Sequence, residues 1–396
     1  MISVSPVSAY EFPPYEGLKF RITGNLSENY SNNITYAQDE ENKIEQYTTM
    51  MTFGLDVGYE GKKRALRFGG QVRQPIRFDD SDVRNSSEMM TLDFNNEFSK
   101  HDRIRINDVY THTRVPERFN QIDFLEECVK IFREFGFDVA RDDPRCSEFG
   151  REFGVNQGAF DTYRNDFNFY YSRSISDQID VTVGYRNNQY DSSEENSNDS
   201  VRNSVNGRVN YKISEPTTFF LSYRYSDTSY DRGGNISTDS VQVGIRQYIT
   251  KRLYFSGGIG MDFTPSSDET SYDAVLTAEI DEKTRVTIDF SRDIRTAVDR
   301  EDVFRNWRVA GRVNRLLMDD MDVFLSAFYG EGDFVSADVT DTLLGTSVSL
   351  NYFFWQHKRG ARINGNLGYT YSILNSTEIS REYDRSSVDA TLSITF

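Results

Sequence analysis

Few residues in this chain have the types and spacing that catalysis needs. There are 3 His and 2 Cys. His101 and His357 fall at strand ends beside turns, and His112 lies at a loop base without a serine or carboxylate that the sequence places beside it. Hydrolysis would require a positioned nucleophile and base, so the reading is a non-enzyme. Cys128 and Cys146 share one long polar stretch with no adjacent His. That spacing argues against zinc and, outside the cytosol, for a disulfide. No haem-attachment or phosphate-loop motif occurs, and no cofactor is expected.

What the sequence does supply is a second chemistry: charged and aromatic side chains repeated at every second position. Arg21, Arg67, Arg186, Arg208, Arg224, Arg246, Arg308, Arg312 and Arg362 alternate with apolar neighbours, as do Asp56, Asp180, Asp262, Glu279, Asp289 and Asp322. Tyr254 and Phe324 fall on the same polar phase. A row of such groups binds and hydrates a polar solute, and the aromatic faces suit sugar rings. The bland alternative is a wet surface on which opposite charges pair across strands and contribute little. The two signs nearly balance, which does not predict strong ion selectivity.

The elements that position these groups are legible from period 2. In Val388–Phe396, the residues Val388, Ala390, Leu392, Ile394 and Phe396 share one face, and Asp389, Thr391, Ser393 and Thr395 the other. Met51, Phe53, Leu55, Val57 and Tyr59 likewise oppose Thr52 and Asp56. Strict alternation is a strand signature. Strands are expected near 18–28, 45–59, 63–75, 88–99, 102–113, 161–174, 178–190, 201–213, 217–229, 238–249, 252–264, 269–281, 284–296, 304–316, 320–330, 340–355, 358–373 and 383–396, about eighteen of them. Short turns such as Ser176-Asp-Gln and Ser214-Glu-Pro alternate with polar loops at 29–44, 76–87, 114–160, 191–200, 230–237, 265–268, 297–303, 331–339 and 374–382. Short connections on one side and long ones on the other are the plan of a bacterial transmembrane barrel. A soluble sandwich has no such two-sided rhythm.

Composition agrees. Of 396 residues, 27% are charged, 37% hydrophobic and 14% aromatic, with a net charge of -17. The acidic balance excludes a general nucleic-acid binder. No apolar run approaches the ~20 residues of a spanning helix. The expected fold is an all-β, antiparallel up-and-down barrel over 18–396, with its turns in the periplasm. Residues 1–17 are expected to be a signal-peptide remnant, from the small residues Val7-Ser-Ala9, followed by a periplasmic lead-in. Barrels of this size leave an aqueous interior.

The loop at 114–160 is far longer than the usual connection. Phe124, Leu125, Cys128, Ile131, Phe132 and Phe135 recur at helical spacing. The expectation is a short amphipathic helix stapled by Cys128–Cys146, a closure that removes about 3 kcal/mol of unfolded-state entropy. It would plug the bore, cover the mouth, or dock another chain.

The strand organisation and the terminal Phe396 resemble outer-membrane proteins of the β-barrel porin type 2 group. That resemblance implies association with exopolysaccharide export and a Gram-negative outer membrane, with membrane lipid and lipopolysaccharide as surroundings. It covers the whole chain as architecture, not motif. The functional expectation is a channel for a hydrophilic solute, most of all a secreted polysaccharide, narrowed or gated by the disulfide loop. A general small-solute porin is one alternative. A barrel sheathing a periplasmic export or electron-transfer partner, such as a cytochrome, is the other.

Overall fold

A computed structural model describes residues 17–33, 43, 45–78, 87–113, 161–193, 198–297, 301–356, 361–378 and 381–395. Its strands are β1 (Leu18–Ser31), β2 (Gln46–Glu60), β3 (Arg64–Phe78), β4 (Ser87–Glu97), β5 (Asp102–Thr113), β6 (Thr162–Ser174), β7 (Ile179–Ser192), β8 (Ser200–Ser214) and β9 (Thr217–Tyr230). They continue as β10 (Asn235–Thr250), β11 (Leu253–Phe263), β12 (Asp268–Glu279), β13 (Thr284–Thr296), β14 (Val303–Met318), β15 (Met321–Phe334), β16 (Val339–Gln356), β17 (Arg362–Ser376) and β18 (Tyr383–Thr395).

Every strand pairs antiparallel with its sequence neighbours in one 18-stranded sheet. The first strand also pairs with the last, from Thr23↔Thr395 to Ser31↔Ser387. The sheet is therefore a closed cylinder in which every strand has a partner on each side, the arrangement that a lipid environment demands of strands.

Alternation sorts the two faces. On β2, Phe53 is 61% exposed and its neighbour Thr52 only 3%. Ile22 and Leu26 on β1, Val205 and Val209 on β8, Leu221 and Tyr223 on β9, and Leu344 and Val348 on β16 are likewise exposed and share the outer phase. At ~3.3 Å per residue and a tilt of about 40°, the outward run Val205 to Ile213 spans roughly 20 Å, the order of a bilayer's apolar core. Polar groups follow directly at its upper margin. Tyr185 Oη donates to Asn203 Oδ1 at 2.7 Å, and Tyr223 Oη to Asp239 Oδ1 at 2.5 Å. These phenols sit where an interfacial aromatic belt belongs. Asp108 interrupts the outer face of β5, in register with Leu92 and Phe167.

One end of the cylinder carries tight turns. At 280–283, Asp281 accepts the Lys283 N–H at 2.8 Å, and this backbone bond holds its carboxyl below the usual range. The other end carries the longer connections, but two are shorter than the sequence suggested and a third is displaced by one residue. The expected loops 230–237, 265–268 and 331–339 are turns at 231–234, 264–267 and 335–338. In these places the ladder continues beyond the apolar belt. The outward residues there, Asp227, Ser229, Glu331 and Asp333, are polar, so the apolar-outward period-2 signal fades while pairing persists. The Asp338 φ of 54° closes the 335–338 turn in the left-handed region, which aspartate tolerates better than most residues. Pro75 on β3 lacks a donor, and the β2–β3 register shifts there, from Thr49↔Arg77 to Met50↔Pro75.

Candidate permeation lumen

The inner phase carries all of the charged and aromatic residues singled out above for the polar face. Arg21 lies opposite Asp56 across β1–β2, and Arg67 Nη2 bonds Asp56 Oδ1 at 3.0 Å. Asp289 on β13 receives two guanidinium groups from β14: Arg308 at 2.9 Å and Arg312 at 2.8 Å. Asp180 accepts Ser174 Oγ at 2.5 Å. Glu279 pairs with Arg285 at 3.0 Å near the turn end. Asp322 accepts Asn351 Nδ2 at 2.9 Å, and Arg362 stands in register with Thr395. Tyr254 packs on Tyr248 with ring centroids 5.0 Å apart. Phe324 is buried on β15. Cys128 and Cys146 fall outside the described residues.

Between the charges run ladders of neutral polar groups. Asn107 Nδ2 donates to Asp93 at 2.7 Å, and Asn366 Nδ2 to Asn351 at 2.7 Å. Ser326 and Ser347 hydroxyls meet at 2.9 Å, and Ser172 and Thr182 at 3.0 Å. Such groups replace a solute's hydration without a net field.

The inner aromatics are seated by glycines, which sequence reasoning missed. Phe220 lies across Gly244, its direct partner on β10, and Phe328 lies across Gly345 in the same way. Any Cβ at Gly244 would overlap the Phe220 ring. The ring thus lies flat on the wall instead of standing into the bore. The Arg208 guanidinium stacks over Phe220 at 3.9 Å, and Arg246 approaches the same ring at 5.7 Å. An aromatic and a glycine directly opposite each other across a hairpin would have been the available signal.

A second feature absent from the sequence reading is an inward-leaning hairpin. β12 pairs with β13 only as far as Tyr272↔Arg292, whereas β13 and β14 stay paired to Thr296↔Val303. Beyond that point β13 leaves its neighbour and crosses the inner wall. The Ile294 N–H reaches Asp262 Oδ2 on β11 at 3.4 Å, which leaves Asp262 only 2% exposed. Tyr230 Oη on β9 donates to the Ala297 carbonyl at 2.5 Å, and Arg202 on β8 donates to the Thr296 carbonyl. Asp302 then binds the turn between β15 and β16, accepting from Ser336 N at 2.9 Å and Ala337 N at 3.2 Å. Beside it, Phe304, Phe334, Val339, Leu343, Leu374 and Tyr383 form a buried apolar shelf on the inner wall. Arg381 covers this shelf, stacked 5.0 Å over Phe334 and paired with buried Asp341 at 2.7 Å. Gly233, at φ 149°, brings the 231–234 turn against Glu301. The loop end is therefore narrowed by 293–297, 301–306 and their neighbours.

His112 does have a carboxylate nearby: Asp161 Oδ1 lies 3.6 Å from Nε2, and Tyr163 stacks on the ring at 4.3 Å. This group sits on the outer phase, away from the lumen. Among the described residues no set of three or more His, Cys, Asp or Glu side chains is arranged to hold a metal ion.

No protein-family model matches the chain, and no curated protein matches it. Solved structures resemble it in shape at low identity. OccAB4 of Acinetobacter baumannii aligns over 97% of this chain and 99% of its own, with 10% identity and a TM-score of 0.49. The siderophore receptor PirA of A. baumannii aligns over 95% and 80%, with 7% identity and a TM-score of 0.48. PirA of Pseudomonas aeruginosa aligns over 95% and 80%, with 8% identity and a TM-score of 0.44. The fold described above rests on the strand register alone: this chain is a closed 18-stranded antiparallel barrel, apolar outside and polar within.

Proposed function

We propose that this chain is a channel in a Gram-negative outer membrane that passes a hydrophilic solute, a secreted polysaccharide above all. The observation that carries the reading is the closing β1–β18 ladder together with opposite polarity on the two faces. A cylinder of this strand number leaves room for water along its axis, and its exposed belt matches the height of a bilayer's apolar core. The turn end then faces the periplasm and the loop end the exterior. Flat inner aromatics such as Phe220, beside amides and hydroxyls, offer stacking faces and hydrogen bonds of the kind a sugar chain uses. The Cys128–Cys146 loop acts with the leaning hairpin to set the bore.

The test is electrical and osmotic. Purified protein in a planar bilayer gives stepwise current, and proteoliposomes swell in maltose-sized saccharides. Absence of both, with a co-purifying periplasmic protein inside the barrel, would replace the channel with a sheath.

A further inference from the structure

Resting on the reading of the turn end as periplasmic, the charges there point to a ligand: we propose that the turn end of β3–β6 is a collar for the phosphate headgroups of anionic phospholipids in the inner leaflet. The chain is acidic as a whole, yet its lysines gather at one end. Of the ten, only Lys43 and Lys130 fall in connections of the loop end. The turn between β2 and β3 presents Lys62 and Lys63, and the turn between β4 and β5 presents Lys100. All three are exposed, and neither tip holds a carboxylate. Backbone bonds set these turns side by side: Glu97 N donates to the Lys63 carbonyl at 2.7 Å, and Ser174 N to the His101 carbonyl at 2.8 Å.

The cations continue onto the lipid side. Arg64 shares the outward phase of β3 with Leu66 and Phe68, 45% and 53% exposed, and its Nε donates to the neutral Asn96 Oδ1 at 3.0 Å. Arg173 shares the outward phase of β6 with Phe169 and Tyr171. Asp102, 3.7 Å away, already accepts Tyr171 Oη at 2.6 Å and Ser99 Oγ at 2.7 Å, and the Arg173 side chain stays 60% exposed. Each arginine thus ends an apolar column on the turn side, where a long cationic side chain reaches the headgroup layer. The inward cations of this end are matched instead: Lys19 pairs with Glu60, and Arg103 with Glu97. The excess charge of the collar therefore faces lipid and the membrane surface. From β3 to β6 it spans three strand spacings, about 14 Å.

Among the described residues this combination is not repeated round the rest of the turn end. The tips at 175–178 and 215–216 carry only Asp177 and Glu215, and 319–320 is Asp319-Asp320. At 280–283, Asp281 and Glu282 outnumber Lys283. Lys251 and Arg252 repeat the positive sign at 251–252, but the neighbouring strand ends Ile249 and Leu253 bring no cation to the lipid side. Arg315, in register with Thr284 on β13, lies in the field of Asp281. An acidic protein docked from the periplasm would use the tips alone. The sideways Arg64 and Arg173, with Phe98 between them 58% exposed, suit a ligand that has an anion at one end and an apolar tail along the wall. A phospholipid has that form, and a phosphate is met by guanidinium forks and by ammonium groups alike.

The test is local fluorescence quenching. With both native cysteines replaced by serine, bimane is attached to Phe98→Cys at the collar, or to Ile280→Cys at the acidic 280–283 turn, where Ile280 is 61% exposed. The barrel is reconstituted in phosphatidylcholine vesicles doped with doxyl-chain phosphatidylglycerol or with doxyl-chain phosphatidylcholine. At position 98 the anionic lipid is enriched at least about fivefold, the effect of a single surface cation, and the enrichment falls with salt. At position 280 the two lipids quench alike. The triple variant Lys63→Gln, Arg64→Gln, Lys100→Gln loses the preference at 98, and Lys251→Gln, Arg252→Gln, Lys283→Gln keeps it. Equal quenching of position 98 by the two lipids, or a preference that survives the first triple variant, overturns the collar. Equal quenching together with salt-sensitive binding of polyglutamate to the detergent-solubilised barrel gives the lysines to an acidic protein instead. Preference at 98 in a barrel that neither conducts nor permits swelling keeps the collar and removes the channel, whereas no quenching at either position removes both.

Discussion

Removing the charge of Asp289 tests the inner wall as a structural element. Asp289 is 11% exposed at its side chain, and its two partners Arg308 and Arg312 are 11% and 16% exposed. Asp289→Asn keeps the shape and deletes the carboxylate, leaving two adjacent guanidinium groups in a poorly hydrated place. Breaking a buried pair by removing one partner costs about 3–5 kcal/mol. Water in the bore moderates this, so the lower end, about 3 kcal/mol, is expected, or roughly a 150-fold change in the unfolding equilibrium. Glu279→Gln at the exposed Arg285 pair, with side chains 39% and 45% exposed, serves as the control and should shift stability by under about 1 kcal/mol. Urea unfolding in lipid vesicles, followed by tryptophan fluorescence, measures both. The double variant Asp289→Asn, Arg308→Met should recover part of the loss, because it also removes one of the two adjacent guanidinium groups. A loss below about 1 kcal/mol for Asp289→Asn, equal to the control, would refute the assignment of this cluster as buried and coupled.

Three other outcomes follow from named contacts. Gly244→Val places side-chain carbons where the Phe220 ring lies and should cost about 1–3 kcal/mol, read by the same unfolding assay, while Gly207→Val, where a Cβ meets nothing within 4 Å, should cost less. Tyr230→Phe removes the tie to Ala297; a loss of about 1 kcal/mol and a larger single-channel conductance are expected as the hairpin loosens. Cys128→Ser should release the long loop and raise conductance, and unchanged conductance would place that loop outside the permeation path.

The barrel itself was legible because lipid on one side and water on the other impose period 2 on every strand. Met51 to Tyr59 against Thr52 and Asp56 shows this without any coordinates. Register carries what the linear pattern cannot. Arg186, Arg208, Arg224 and Arg246 are each visible as inward cations, but only the pairing of β7 to β10 sets Arg186 and Arg224 beside Ser204 and Asn206, next to Arg208, and Arg246 two rungs further on. The 230–237 and 331–339 segments read as loops because their strands outrun the membrane belt, where outward residues such as Asp227 and Glu331 are polar and, around Phe334, the apolar side turns inward. The leaning hairpin was hidden for a related reason. Where β13 parts from β12 after Arg292, β12 still continues to Asp268, and the separation shows only in pairing and in contacts to distant segments such as Asp262 and Tyr230. Glycine seats such as Gly244 under Phe220 need a cross-strand partner to be recognised.

The account stands or falls on which residues meet lipid and which meet water. With both native cysteines replaced by serine, single cysteines at Val205, Asn206, Gly207, Arg208 and Val209 on β8 can be probed in proteoliposomes with a charged, water-soluble thiol reagent. Labelling at 206 and 208, together with protection at 205, 207 and 209, is the expected result. Uniform labelling along the strand, or labelling in the opposite phase, would contradict a membrane-embedded cylinder with a wet interior.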